Sequence, residues 1–319
     1  EPVYEYACHE GNYAMEGIVH EGDGEGHTDS WGIRWVKDGP FNQIVAAPLA
    51  TADEAGVRRY AYPYEHLEKF LAQMLPVLRA RAERFIGCDI SPCLFEMVCR
   101  LRGMEQAAFD LAGAPELARF ELAQAADFAE HLAEAACARF ALDWLWTGDD
   151  VGGQQALIMS PPCWRDMVRP HLARLFAVGK AHGLWVAYHS CGAIRPLIPD
   201  LIEMGLDVLN PVQCNCPGMD PLDLKREFGA RLAFMGGVDT QQLLPYGTAE
   251  EVYAATRRLL EGMTADGGGY ILAASHAVPP ETPPANIFAM YQAAGITRTE
   301  IFDRAADLRT ALCAPRPQP

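Results

Sequence analysis

A histidine and a cysteine two residues apart, His189 and Cys191, are the pair with the clearest chemical potential in this sequence. They follow an apolar run, Trp185 to Tyr188, whose composition is typical of a buried strand. Because side chains at positions i and i+2 of a strand point the same way, the imidazole and the thiol are expected to project side by side. Together they would form half of a tetrahedral zinc site, so another ligand must come from elsewhere in the chain.

The third ligand is expected from a later strand. His276 follows the predicted strand Tyr270 to Ala273 and precedes a proline-rich turn, which would place it at the same edge of the sheet as the first two ligands. A His/Cys/His set would leave the fourth position of a catalytic zinc open to water or substrate. Two alternatives stay open: His276 could be a hydrogen-bonded residue of the rim, or Cys214 or Cys216 could contribute a thiolate instead.

Other polar side chains follow the remaining predicted strands. The adjacent carboxylates Asp149 and Asp150 could cap a helix, or could fix a substrate hydroxyl and orient a metal-bound histidine, and Asp239 presents the same choice. His9 belongs to an N-terminal segment that could fold over the site. We therefore assign candidate catalytic roles to Asp149, Asp150 and Asp239, and candidate substrate-binding roles to Gln154, Asn210, Gln213 and His9.

Regular alternation of strands and helices must position these residues. Predicted strands lie at Trp185 to Tyr188, Asp207 to Leu209, Leu232 to Met235 and Tyr270 to Ala273, each preceded by a helical pattern. Further strands are expected near residues 85, 94 and 143, although Leu94 to Arg100 could be strand or helix. The longest helix is predicted from Pro115 to Arg139. The count approaches eight, so we predict an α/β fold: a (β/α)8 TIM barrel at residues 64–319 with an irregular N-terminal cap at residues 1–63. Trp31 and Trp35 are expected to pack the cap onto the barrel.

Composition excludes several classes of function. The net charge of −16 disfavours binding to nucleic acid or to anionic membrane surfaces. No uninterrupted apolar segment reaches the roughly 18 residues of a spanning helix. We therefore expect a soluble, cytoplasmic protein, and ten cysteines in a chain of 319 residues favour reduced thiols over a disulfide framework. The oligomeric state stays open, a homodimer included.

The stretch from Trp185 to Gln213 resembles the uroporphyrinogen decarboxylase-like superfamily, and more closely its zinc-dependent, cobamide-linked methyltransferase branch. The resemblance continues through Gly148 to Gln154, Phe234 to Asp239 and Gly268 to Leu272. It implies a zinc ion held by the His-x-Cys pair and by the position before the proline-rich turn, which is His276 here where better-known relatives have cysteine. This exchange removes one thiolate charge and would make the metal a stronger Lewis acid.

The resemblance implies a methyltransferase that uses Zn²⁺ and moves a methyl group between a small substrate, such as a methoxylated aromatic or another methyl ether in an O-demethylation, and methylcobamide on a separate corrinoid protein. No Asp-x-His-x-x-Gly corrinoid signature occurs in the chain. Two alternatives remain: a metal-independent decarboxylase or lyase acting through its carboxylates, or a non-catalytic accessory subunit. The absence of Arg and Lys directly after the predicted strands argues against porphyrinogen decarboxylation.

Overall fold

In the computed structural model of the protein, the residues described are 26–38, 41–74 and 85–313. Strands β1 to β9 span His27–Thr28, Arg34–Asp38, Phe41–Ala46, Gly87–Asp89, Trp144–Gly148, Trp185–His189, Val208–Val212, Ala233–Val238 and Tyr270–Ala274. The α-helices span Glu54–Arg59, Leu67–Gln73, Phe95–Arg102, Met104–Gly113, Pro115–Arg139, Pro161–Met167, Arg169–Ala181, Ile198–Glu203, Pro221–Phe228, Leu243–Tyr246, Ala249–Met263, Pro284–Ala293 and Arg298–Cys313. Short 3₁₀ turns lie at Tyr64–His66 and Arg195–Leu197.

Six parallel strands, β4 to β9, form one sheet whose spatial order is the order of the chain. Helices connect successive strands, so the α/β class predicted from the alternation is confirmed. A sequential parallel sheet is the arrangement of a TIM barrel, and the described residues contain six of the eight strands that the prediction requires. None of the described helices is long and apolar enough to cross a membrane.

The structure decides between the two alternatives predicted for Leu94 to Arg100: residues Phe95–Arg102 form a helix, so the strand counted near residue 94 is not formed. The buried side chains of this helix, Phe95, Val98 and Arg102 among them, recur at helical spacing. The helix also receives an N-terminal partner from a distant part of the chain, since the Asp149 carboxylate accepts a hydrogen bond from the amide of Glu96 at 2.6 Å. Local sequence could not reveal this stabilisation.

Both faces of the parallel sheet are covered, as expected of crossover-connected strands. Successive side chains along each strand point to opposite faces of the sheet and pack in two separate hydrophobic clusters. The side chains that pack with the helices are Leu145, Val186, Tyr188, Leu209 and Phe234. Those on the opposite face, in a separate cluster, are Trp144, Trp146, Ala187, Val208 and Met235. The sheet is therefore rigidly held on both sides, and its strand ends are well placed to position side chains.

The cap contains an antiparallel sheet of three strands, β1 to β3, in chain order. Trp31 and Trp35 are buried, which confirms that these aromatic residues pack inward. The ring of Trp31 meets that of Phe128 edge-on at 4.7 Å between centroids, and Phe128 lies on the long helix Pro115–Arg139. This contact joins the N-terminal segment to the α/β body.

A buried ionic cluster makes a second link between the two parts. Arg102 donates from Nε to Asp110 at 2.8 Å and from Nη1 to the carbonyl of Leu49 at 2.6 Å. Its Nε also lies 3.2 Å from Glu121, which has no hydrogen-bond partner for either carboxylate oxygen among the described residues. Burial, reinforced by the nearby charge of Asp110, raises the pKa of Glu121 to about 7.

The raised pKa of Glu121 predicts how stability depends on pH. Between about pH 4.5 and 7 the folded protein keeps a proton on Glu121 that the unfolded chain has released, so the free energy of unfolding falls as pH rises through this window. Glu121→Gln should remove this part of the fall, on the order of 1 kcal/mol per pH unit. Urea unfolding of both proteins at pH 5, 6, 7 and 8 measures the difference.

The matched control is Glu116→Gln, because Glu116 is an exposed residue of the same helix. Parallel pH profiles for wild type and Glu121→Gln would contradict the assignment.

Candidate metal and substrate site

The register of the parallel sheet places three strand ends next to one another. Gly148 of β5 pairs with His189 of β6, and His189 pairs with Asn210 of β7. A Cβ atom on Gly148 would lie 2.6 Å from the Cβ of Ser91 and 3.3 Å from that of His189. The glycine therefore lets Ser91, after β4, and His189 both pack close to the end of β5.

Three potential metal ligands meet at this edge: the carboxylate of Asp150, the imidazole of His189 and the thiol of Cys191. Their ligand atoms all lie within 4.8 Å of one another. Sγ of Cys191 is 3.5 Å from Nε2 of His189, which is 3.8 Å from Oδ1 of Asp150. The structure thus brings His189 and Cys191 together as the strand spacing predicted, and adds Asp150 to them.

The orientation of His189 suits metal binding. Its Nδ1 lies 2.7 Å from the carboxamide oxygen of Asn210. Because that oxygen can only accept, Nδ1 carries the proton, and the lone pair of Nε2 is directed toward Cys191 and Asp150. Metal-bound histidines are usually oriented by such a partner on the other ring nitrogen. Asn210 thus contacts His189, and its predicted role in substrate binding stays a prediction.

The donor set fits zinc. Imidazole nitrogen, thiolate sulfur and carboxylate oxygen are the ligands that Zn²⁺ takes in proteins, and three of them leave one position for water or substrate. All three residues are partly exposed, which allows a substrate to reach them.

Two facing loops hold Cys191 against Asp150. The amide of Cys191 donates to Oδ1 of Asp150 at 2.8 Å, and the amide of Gly192 donates to Oε1 of Gln213 at 2.8 Å. Gly192 has a φ of +86°, and a Cβ atom there would lie 2.5 Å from the backbone of Gly152. Glycine is therefore required at this contact for both conformational and steric reasons.

His276 lies in a neighbouring part of the rim. It lines a cavity of about 320 Å³. Within the described part of the chain, its ring does not belong to the group whose ligand atoms lie within 4.8 Å of one another. Cys214 and Cys216 do not belong to it either. The role of His276 as third ligand stays a prediction, with Asp150 as the residue that the geometry offers in its place.

Asp149 and Asp150 occupy very different environments. Asp149 is fully buried, and Oδ1 accepts the hydrogen bond from Glu96 that caps helix Phe95–Arg102. Burial raises the pKa of Asp149 to about 8, against the opposing effect of that hydrogen bond. Its position favours the capping alternative, whereas Asp150 faces the candidate ligands.

Asp239 is engaged by the loop that follows it. Its carboxylate accepts from the amides of Gln241 and Leu243 and from Nδ2 of Asn215. These bonds are those of a capping residue, so the catalytic role of Asp239 stays a prediction.

Glu96 is a residue that the sequence did not indicate. Its carboxylate lies 3.0 Å from Nη2 of Arg100, and burial raises its pKa against the effect of that guanidinium. The charge of Asp150 also raises the pKa of Glu96, which places the two carboxylates near each other. They are more than fifty positions apart in the chain, and only the preceding Pro92 hinted at a break after β4.

The remaining candidate, His9, lies outside the described residues.

Residues 95–295 match the sequence profile of the family described as uroporphyrinogen decarboxylase (URO-D). The chain belongs to this family. Among solved structures, a methyltransferase from Methanosarcina mazei is similar, with a TM-score of 0.63, 19% sequence identity, and coverage of 86% of this chain and 77% of that chain. At this identity the likeness concerns the fold. Among curated proteins, no sequence matches this chain.

The match to the URO-D family covers the elements that carry the candidate site, from helix Phe95–Arg102 through β5 to β9. The superfamily resemblance seen in the strand-end motifs is therefore confirmed.

The close contact at Gly192 gives a test of how the site is held in this URO-D family member. Gly192→Ala should be more destabilising than Gly183→Ala by about 1–3 kcal/mol, because a Cβ atom at Gly192 overlaps the facing loop. Gly183 is the matched control, since its φ is +72° and nothing lies within 4 Å of a Cβ atom there. Chemical unfolding of both variants measures the difference, and equal destabilisation would contradict the argument.

The hydrogen bond between Asn210 and His189 predicts an effect on metal binding. Asn210→Ala removes the oriented acceptor while keeping all candidate ligands, so affinity for Zn²⁺ should fall about 10–100-fold. Asn210→Asp keeps an acceptor oxygen and should retain tight binding. Competition with a chromogenic chelator measures the affinities. Unchanged affinity in Asn210→Ala would show that His189 is not a ligand or does not need this partner.

Proposed function

We propose that this protein is a methyltransferase that moves a methyl group between a small methylated substrate and the cobamide of a separate corrinoid protein, with Zn²⁺ held at the candidate site. The observation that carries the proposal is the group formed by Asp150, His189 and Cys191 at the carboxyl ends of the parallel strands. In sheets of this type, substrates bind at that edge.

Each residue of the candidate site would have a distinct role. His189 and Cys191 would hold the metal, with Asp150 or His276 as a further ligand, and Asn210 keeps the imidazole in the required tautomer. When bound, Zn²⁺ would supply a Lewis acid for the heteroatom that carries the methyl group. Gln213 holds the Gly192 amide, and so restrains the backbone next to Cys191.

A corrinoid protein is proposed as partner because the superfamily branch that the strand-end motifs resemble works with one, and because the chain lacks a corrinoid signature of its own. The fold shared with the Methanosarcina mazei methyltransferase is compatible with methyl transfer.

The environments of the carboxylates favour this proposal over a metal-independent decarboxylase. That alternative needs an accessible carboxylate acting alone, yet Asp149 is fully buried, and Asp239 accepts hydrogen bonds from two amides of its own loop and from Asn215 of the loop after β7. Asp150 is accessible, but it lies beside a thiol and an imidazole, which is a setting typical of a metal site.

The decisive experiment is metal analysis combined with methyl transfer. We expect purified protein to hold about one Zn²⁺ per chain, and His189→Ala and Cys191→Ala each to lose the metal and the transfer of methyl groups to cob(I)alamin. His66→Ala and Cys163→Ala, which lie away from the site, are the matched controls. Protein without zinc, or zinc fully retained in both ligand variants, would overturn the proposal.

The same assay decides the third ligand. Asp150→Asn and His276→Gln each keep the size of the side chain while weakening its ability to bind a metal. If Asp150 is the ligand, zinc affinity should fall in the first variant and persist in the second. The reverse result would assign His276 and restore the ligand set expected from the sequence.

A further inference from the structure

A cavity of about 320 Å³ lies beside the candidate metal group, at the carboxyl end of the sheet. Gln213 forms part of its wall and also accepts the hydrogen bond from the amide of Gly192, the residue next to Cys191. Gln213 therefore connects the wall of the cavity to the residue that follows the candidate ligand Cys191. Its volume lies at the lower end of the range for small-molecule sites, and suits a single substituted ring.

The lining is polar but carries no Asp, Glu, Lys or Arg among the described residues. Hydrogen-bonding groups come from Gln154, Gln213, Thr240, Gln241 and His276, and an apolar side is formed by residues 277–279. Carboxamides can both donate and accept, so they recognise hydroxyl, ether and amide groups. The absence of ionic groups in this lining distinguishes it from sites that bind carboxylates or phosphates, which usually contain arginine.

The carboxamides are arranged as a connected rim. Nε2 of Gln241 donates to Oε1 of Gln154 at 3.2 Å, and Asn215 donates to Oε1 of Gln241 at 3.3 Å. The loops after β5, β7 and β8 are thereby joined across the mouth of the cavity. This network restrains the carboxamides at the mouth of the cavity.

An anionic ligand would be disfavoured in this cavity. It would lose its hydration without gaining an ionic partner from the described lining, which is costly. The carboxylates of Asp150 and Asp239 lie nearby, and the amide of Gln241 donates to Asp239 at 2.7 Å. A thiolate at Cys191 and a carboxylate at Asp150 would together balance the charge of one Zn²⁺, leaving no net positive charge to attract an anion.

We propose that this cavity selects an uncharged, single-ring methyl ether by hydrogen bonds from its carboxamides, and that it rejects the corresponding carboxylate. The description of the ligand as a methyl ether rests on the proposed function. The preference for a neutral ligand rests on the lining alone.

The test compares two ligands that differ in one group, a neutral carboxamide in place of a carboxylate. Vanillamide and vanillate have the same methoxyphenol ring and nearly the same size, but vanillate carries a carboxylate. At neutral pH, isothermal titration calorimetry on the full chain should give vanillamide an affinity about tenfold or more above that of vanillate. Equal affinities, tighter binding of vanillate, or no binding of either compound would overturn the proposal.

Two variants that each add one positive charge test whether the preference for the neutral ligand comes from this cavity. Gln154→Arg places a guanidinium at the cavity and should raise the affinity for vanillate about tenfold. Gln155→Arg is the matched control, because Gln155 is the adjacent exposed residue, lies outside the lining, and changes the net charge equally. The same gain in both variants would mean that overall charge, not this cavity, controls binding.

The two proposals fail separately. Zinc content measured on the same preparations tests the metal, whereas calorimetry needs neither methyl transfer nor a corrinoid protein. Protein that lacks zinc but prefers vanillamide would overturn the metal-dependent function and keep the cavity assignment. Protein that holds zinc through His189 and Cys191 but prefers vanillate would do the reverse.

Discussion

The contact between the backbones of Gly152 and Gly192 is the constraint on which the candidate site depends. A Cβ atom on Gly152 would lie 2.3 Å from the carbonyl oxygen of Cys191, and one on Gly192 would lie 2.5 Å from Gly152. The loops after β5 and β6 can therefore meet only as bare backbone. Because they meet, the amide of Cys191 reaches Asp150, and the thiol and carboxylate stand beside the imidazole of His189.

Environment separates carboxylates that look equivalent in the sequence. Asp149 and Asp150 are adjacent, but one is buried beneath helix Phe95–Arg102 and the other faces the candidate ligands. Burial favours the neutral acid at Asp149, while Asp150 lies where a carboxylate could bind a metal. One residue of the pair therefore caps a helix, and the other lies beside His189 and Cys191, where a metal could bind.

Much of the fold was predictable because its signals are local. Helix Pro115–Arg139 has the predicted bounds, since a proline at its first turn marks where it begins. Strands β6 and β9 also fell within a residue of their predicted ends. The sequence left strand or helix open for Leu94 to Arg100, because the N-terminal cap of helix Phe95–Arg102 comes from Asp149, more than fifty residues away.

The sequence by itself determined the pair His189 and Cys191, their position after a buried strand, and the α/β alternation that brings strand ends to one edge. Those features follow from a period of two along a strand and from apolar patterning, which act over a few residues. Only the tertiary structure decided that Asp150 stands beside the pair, that Asn210 orients the imidazole, and that His276 lines a neighbouring cavity without charged residues in its described lining. These outcomes depend on strand register and on close contact between loops, and neither is encoded in the spacing of residues along a single segment.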